Sequence, residues 1–301
     1  MSTESLTYEN ERGESIVFAP ASVFHVNMDD VSGLSDIRSE NFHISSMGQD
    51  GATFLGSRIE SRDIEIVGHI NSRGKEETHR LRRRMNSILN PQHRARLIYQ
   101  LGNFQRVIDC NIVNAPIFIR GEILERFTIQ LVCLNPFWRE MHETRRDIGE
   151  WMGAMEFPYR EPDDLPHGLE IPEDGWEIGW REPSVFVVIT NRGNVRAGMR
   201  VEFRAMGKVV TPHLFDVNTR DFMQFNLELR AGDVLTVSTG FGQKGVTLRR
   251  DGETTDAFRF LDPDSRYLQL AVGDNVFRYG ADFGDGNLEV SIIHTNLFLG
   301  V

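Results

Sequence analysis

Residues 127–138, FTIQLVCLNPFW, constrain the fold more than any other stretch of this 301-residue chain. Phe127, Ile129, Leu131 and Cys133 alternate with Thr128, Gln130 and Val132, the period of a strand with one buried face. Pro136 lacks the N–H that a ladder needs, so it stops the strand. Phe137 and Trp138 follow at once. A strand closed by Asn-Pro-Phe-Trp predicts a domain end near residue 139.

The composition beyond that point is different. Residues 140–183 carry 13 acidic and 4 basic side chains, five of the 11 prolines and three of the four tryptophans. The remainder is nearly neutral, so most of the net charge of −11 sits in this connector. Its aromatic content predicts packing along a domain rather than a free tail. Three parts are therefore expected: a first domain over 1–139, an acidic connector and start of the second domain over 140–183, and the body of the second domain over 184–301. The negative charge argues against sequence-specific nucleic-acid binding. With 40% hydrophobic and 26% charged residues the chain reads as globular, and no apolar run reaches the ~18–20 residues of a membrane helix. The polar, acidic start MSTESLTYENERGE does not read as a signal peptide, which implies a chain made in a cytoplasm. Cys110 and Cys133 both lie in apolar strand patterns and are expected as buried, reduced thiols.

The first part reads as strands around one helix. Strands are expected near 15–18, 23–28, 59–70, 96–101, 107–113 and 123–133. Over 75–89, Leu81, Met85, Ile88 and Leu89 recur at helical spacing. Glu76 and Glu77 lie in the first turn, where the helix dipole favours them, and Asn90-Pro91 ends the helix. The second part is all strand, with segments near 185–189, 199–204, 222–229, 234–239, 246–249, 267–270, 276–279 and 288–294. Gly- and Asn-rich turns punctuate it, as in a β-sandwich.

Few motifs carry chemistry. Gly240-Phe-Gly-Gln-Lys-Gly245 matches G-x-G-x-x-G, but a strand follows it where a dinucleotide site needs a helix; it reads as a hairpin turn. The basic run His79–Arg84 reads as a solvated or partner-contacting helix face. Asp262-Pro-Asp264 and Asp282–Asn287 lack the ligand spacing of an EF-hand and read as turns. No nucleophile elbow, P-loop or H-E-x-x-H pattern is present. No catalytic, cofactor or metal residue is assigned, and none of these motifs points to an enzyme.

Taken in order, the remaining motifs carry a family resemblance. They are Asn10-x-x-Gly13-Glu14, Val31-Ser-Gly-Leu34, Asp50-Gly-Ala-Thr-Phe-Leu55, Ser61-Arg-Asp-Ile64, Ile88-Leu-Asn-Pro91 and Asn135-Pro-Phe-Trp138. The second half adds Asn191-Arg-Gly-Asn-Val195, Leu235-Thr-Val237, Val272-Gly-Asp-Asn-Val276 and Leu299-Gly-Val301. Each is weak alone; together they span nearly the whole chain, which resembles the distal tail proteins of siphophages. The connector is longer and more acidic than that pattern, and His213 stands where only turn and apolar residues are expected.

The resemblance implies a mostly β protein. Its N-terminal part would be a tail-tube-like β-sandwich or split barrel with one α-helix, and its C-terminal part a galectin-like β-sandwich. It further implies a structural virion protein at the distal end of the tail, assembled in the host cytoplasm as a hexameric ring, with back-to-back rings possible in isolation. Implied partners are the tail tube protein, the tail-associated hub protein and receptor-binding or accessory baseplate proteins. Closed symmetry would satisfy exposed strand edges. Phe42, Ile44, Phe54 and Leu55 around the Gly48–Gly51 tip are the candidate ring-interface hairpin. Two rival readings stay open. One is a carbohydrate-binding module using Trp176, Trp180 or Tyr267 as an aromatic platform. The other is a cell-wall glycan hydrolase using paired carboxylates, for which no pair stands out.

Overall fold

The computed structural model describes residues 4–48, 50–121, 125–148, 151–152, 180–181 and 186–301. Contacts divide the chain into two compact units. Unit 1 is Met1–His142 with Asn296–Val301, and unit 2 is Glu143–Thr295. The last six residues thus return to unit 1, whereas the sequence pattern placed them in the second domain. Most of the acidic connector lies outside the described residues.

Unit 1 runs Glu4–Asn10 (β1), Ser15–Ala19 (β2), Phe24–His25 (β3), Val31–Ser32 (β4), Ser39–Ile44 (β5), Thr53–Ile59 (β6), Arg62–Ile70 (β7), the helix Lys75–Ile88 (α1), Ala95–Leu101 (β8), Phe104–Ile112 (β9), Ile117–Arg120 (β10), Glu125–Cys133 (β11) and Trp138–Arg139 (β12). Seven of these close a barrel in the order β11-β7-β3-β2-β1-β8-β9 and back to β11. Only β2 and β3 pair in parallel. The closing seam holds two register pairs, Leu131↔Ile112 and Val132↔Asn111.

The alternation read from β11 is borne out: Phe127, Ile129, Leu131 and Cys133 are all buried. They join Leu6, Tyr8, Phe18, Ile64, Ile66, Leu97 and Ile108 in one core. Phe18, Phe24 and Phe127 meet there with ring centroids 5.9–6.4 Å apart. Helix α1 buries Leu81, Met85 and Ile88, the expected stripe. Asn10 caps this corner. Its Oδ1 accepts from the N–H groups of Arg12 and Glu14 at 3.0 Å, and its Nδ2 donates to the Ile88 carbonyl at 3.3 Å, one of the carbonyls a helix leaves open at its C-terminus. The strand expected over 23–28 is only Phe24–His25, because the chain turns into a 3-10 helix at Met28–Asp30.

Four of the sequence motifs meet at one side chain. Arg62, at the start of β7, is 2% exposed. Its Nε donates to the Pro136 carbonyl at 2.9 Å. Nη1 reaches the carbonyls of Gly33, Leu34 and Asp36 at 2.7, 3.1 and 3.0 Å, and Nη2 donates to Leu299. Trp138, fully buried, donates its Nε1–H to the same Leu34 carbonyl at 3.0 Å. Trp138 also pairs with Phe298 of the terminal strand Leu297–Phe298. The loop at 33–36 depends on glycine: Gly33 has φ +86, and a Cβ there would lie 2.0 Å from the Asp63 carbonyl. Burial pushes the Arg62 pKa down, yet all three guanidinium nitrogens find carbonyl acceptors, with the two N–H groups of Nη1 shared among three of them.

Unit 2 contains a six-stranded antiparallel sheet in the order Thr144–Ile148, Leu288–His294, Met199–Ala205, Val234–Ser238, Gly245–Arg250 and Glu253–Asp256. A four-stranded sheet has the order Phe186–Asn191, Gly273–Gly280, His213–Asp216 and Phe222–Gln224. A short pair joins Val209–Val210 to Glu228–Leu229. Val201, Phe203, Leu235, Val237, Val290 and Ile292 of the first sheet are buried, as are Ile189, Leu214, Met223 and Phe277 of the second. This is the expected β-sandwich, and the fold class stands as mostly β.

Two motifs face each other here on paired strands (Ile189↔Asn275, Asn191↔Gly273). Asn191 donates to the carbonyls of Val195 and Leu270 at 2.9 and 3.1 Å. Asn275 donates to Ala271 and Gly273, both at 2.9 Å, and to Ile189 at 3.3 Å. Both asparagines are buried, so these bonds replace the water they lose. The strand expected at 267–270 is absent. Leu268 and Leu270 alternate and are buried, but only Leu270 bridges, to Ala197. The alternation there records burial, not a ladder.

Among the described residues of unit 2, Asp233 and Arg250 form the tightest ion pair, with Arg250 Nη2 2.5 Å from Asp233 Oδ2. The Asp233 carboxylate also accepts from the Arg230 N–H at 2.8 Å. Burial alone would raise its pKa; the guanidinium and the backbone N–H outweigh burial and hold it below the usual carboxylate range. A depressed folded-state pKa stabilises above the unfolded value of ~3.9 and is lost as pH falls through the folded value. Arg250→Gln is expected to cost about 2 kcal/mol at neutral pH. The gap in urea midpoint from wild type should narrow towards about pH 3, below the unfolded carboxylate pKa. An equal gap at both pH values would remove the pair from this account.

Candidate functional site

Hairpin β5–β6 stands apart from the barrel. The two strands form their own two-stranded sheet, and every residue of β5 is exposed. The turn between them carries Gly48 and Gly51 at φ +84 and +81, which suits a tight tip. Phe42, Ile44, Phe54 and Leu55 are 44%, 56%, 64% and 65% exposed, and Met47 at the tip is fully exposed. These are the four residues expected from sequence, and the structure brings them together on one hairpin.

The register explains how they are displayed. Phe42 pairs with Gly56, His43 with Phe54 and Ile44 with Thr53, with a bulge between Phe42 and His43 that leaves Leu55 without a partner. Phe42 and Ile44 therefore share one face of the ribbon, and Phe54 lies with His43 on the other. A ribbon that covered its own core would be apolar on one face only; this one is apolar on both. Arg58 and Glu40, 2.9 Å apart, tie the strands nearer the base. An isolated two-stranded ribbon is marginal in water, and each such side chain gains roughly 1.5–3 kcal/mol when fully buried. The arrangement suits insertion between other protein surfaces.

Sequence reasoning missed a second exposed apolar element. Strand β10 pairs only with β11 and ends the sheet, with Ile117 and Ile119 more than half exposed. The alternation of Ile117 and Ile119 was the available signal, in a run too short to separate from a turn.

The other motifs fall to their plain readings. Gly240–Gly245 is the connection between the paired strands Val234–Ser238 and Gly245–Arg250. Asp262 Oδ1 accepts from the Asp264 N–H at 2.9 Å in a local turn, and Asp285–Asn287 is a 3-10 turn. On α1, Arg82 pairs with Glu125 at 3.1 Å and lies 4.7 Å from the centre of the Phe118 ring; Arg80 pairs with Glu77. Among the described residues no group of three or more His, Cys, Asp or Glu side chains converges as a metal site. Of the three aromatic-platform residues, Trp176 lies outside the described residues, and Trp180 is placed only as part of a two-residue strand paired with Trp151–Met152. Tyr267 is half-buried, and the Lys244 ammonium lies over its ring at 5.2 Å, where a sugar would stack.

Comparisons with known proteins agree with this picture. Residues 20–133 match the family described as phage tail protein RIFT-related domain. Residues 192–298 match the siphovirus-type tail component, C-terminal domain. Together they cover more than two thirds of the chain, the first within unit 1 and the second in unit 2 but for its last three residues. The chain belongs to the siphophage distal tail protein family. Among solved structures, the Dit protein of phage SPP1, described as a paradigm of the hub adsorption apparatus in phages infecting Gram-positive bacteria, superposes with a TM-score of 0.69 at 13% identity, covering 97% of this chain and 99% of that one. The calcium-bound activated baseplate of phage P2 gives 0.51 at 13% identity, covering 98% of both chains. No curated protein sequence matches. This distal tail protein is a structural component of the phage tail with the Dit fold, and its place is in the virion tail.

Proposed function

We propose that this protein forms a hexameric ring at the distal end of the tail, between the tail tube and the tail-tip hub. Unit 1 makes the ring and unit 2 carries receptor-binding or accessory baseplate proteins. Assembly would take place in the host cytoplasm before release. The observation that carries the reading is hairpin β5–β6, exposed and apolar on both faces. Inserted against a neighbouring protomer, it would bury Phe42, Ile44, Phe54 and Leu55, and closed symmetry would repeat that burial around the ring. The same edge would otherwise promote open-ended aggregation.

Deleting residues 46–52 tests this. The wild-type chain is expected as hexamers, or paired hexamers, by light scattering at micromolar concentration. The deletion is expected as monomers with an unchanged circular dichroism spectrum, since the tip adds nothing to the barrel core. Rings that survive the deletion would put the contact elsewhere, for which β10 is the next candidate. A wild-type chain that stays monomeric, and is absent as a ring from virion images, would overturn the ring itself.

A further inference from the structure

The barrel is closed by a ladder of two register pairs, and the two cysteines of the chain lie at the end of it. Leu131↔Ile112 and Val132↔Asn111 are the two register pairs between β9 and β11. The Val113 N–H donates to the Gln130 carbonyl at 3.0 Å, which makes Ile112 and Leu131 a non-hydrogen-bonded pair and Asn111 and Val132 a hydrogen-bonded one. Carried one step further, the antiparallel register sets Cys110 opposite Cys133, again at a non-hydrogen-bonded position. Antiparallel Cα atoms approach to about 4.5 Å at such positions, within the ~4.4–6.8 Å that a disulfide spans. Both side chains face the core, as Ile112 and Leu131 do, and both are free thiols.

We propose that Cys110 and Cys133 are a latent disulfide site, and that their oxidation staples the β9–β11 seam. Nothing else crosses that seam covalently, and a bond there would tie together two strands held by a short ladder. The oxidant is a small-molecule disulfide such as glutathione disulfide. One cysteine thiolate attacks it, forming a mixed disulfide and releasing one glutathione thiolate. The second cysteine thiolate then attacks the protein sulfur and releases the second glutathione. Two protein thiols are oxidised and one glutathione disulfide is reduced to two thiols, with the cysteine protons lost to solvent.

In the closed barrel this exchange is slow. Burial pushes the Cys133 thiol up to about 12, and Cys110 is pushed up by burial and by the neighbouring Cys133. Thiolate, the attacking species, is therefore scarce. Exchange belongs to the open seam, during folding or transient opening. A tail particle is released to surroundings where disulfides persist, so a staple formed before closure would be kept.

The test is refolding of the urea-denatured, reduced full chain in a glutathione redox buffer, followed by acid quench, alkylation and peptide mapping. A single Cys110–Cys133 peptide pair linked within one chain is expected, with loss of both alkylatable thiols. The oxidised chain should show a higher urea midpoint than the same chain after reduction, a shift that Cys110→Ala and Cys133→Ala both lack. Two alkylated thiols, glutathione mixed disulfides alone, or intermolecular dimers would each overturn the proposal. So would a linked chain with an unchanged or lowered midpoint.

Discussion

Arg62→Met is expected to cost about 4 kcal/mol in unit 1, read as a lower urea midpoint and faster amide exchange in β7 and β12. Methionine nearly conserves the apolar stem, so the loss isolates the guanidinium. Five carbonyls, those of Gly33, Leu34, Asp36, Pro136 and Leu299, would lose a charged donor at once. Each buried unpaired acceptor costs about 1–3 kcal/mol before water or relaxation reaches it. Two effects reduce the sum: the cost of burying a cation disappears, and some carbonyls turn to solvent. Arg62→Lys is expected to restore less than half the loss. An ammonium offers three donors from one nitrogen and cannot span acceptors from three chain segments. A change of less than 1 kcal/mol for Arg62→Met would mean that the loop at 33–36 and the terminal strand hold without it.

The strand set and the helix were legible because burial there follows local periodicity. Leu81, Met85 and Ile88 on α1 and the alternation in β11 need only their own neighbours to be read. The candidate hairpin was legible for a related reason: Phe42, Ile44, Phe54 and Leu55 flank a glycine-rich tip, and such ribbons are local. The places where the sequence misled are non-local. The terminal strand is two residues long and pairs with Trp138, 160 residues earlier, so no window could contain it. Nothing in the pattern over 59–70 marks Arg62 as buried; its burial depends on acceptors from three distant segments. Leu268 and Leu270 alternate as a strand does, yet they fill a core without a ladder. Glycine, asparagine and proline in the motifs were visible as turns, but not that three of those segments surround one guanidinium.

Trp138→Ala is the second large effect, at about 4 kcal/mol. The indole is fully buried against the terminal strand and its N–H holds the Leu34 carbonyl at 3.0 Å. Trp138→Phe keeps most of the ring and is expected to lose only about 1–2 kcal/mol, the share of the hydrogen bond and the missing volume. The decisive measurement is the double-mutant cycle with Arg62→Met. Trp138 and Arg62 donate to the same Leu34 carbonyl, and both brace the terminal strand, Arg62 through Leu299 and Trp138 through Phe298. Residues that share partners do not add. Once either side chain is removed, the loop at 33–36 and residues 297–301 are already loosened, and the second loss has less left to break. The double variant is therefore expected to fall short of the summed single effects by more than 1 kcal/mol. Additive values would mean that Trp138 acts only by filling space, and that the Asn-Pro-Phe-Trp close and the chain end are secured independently.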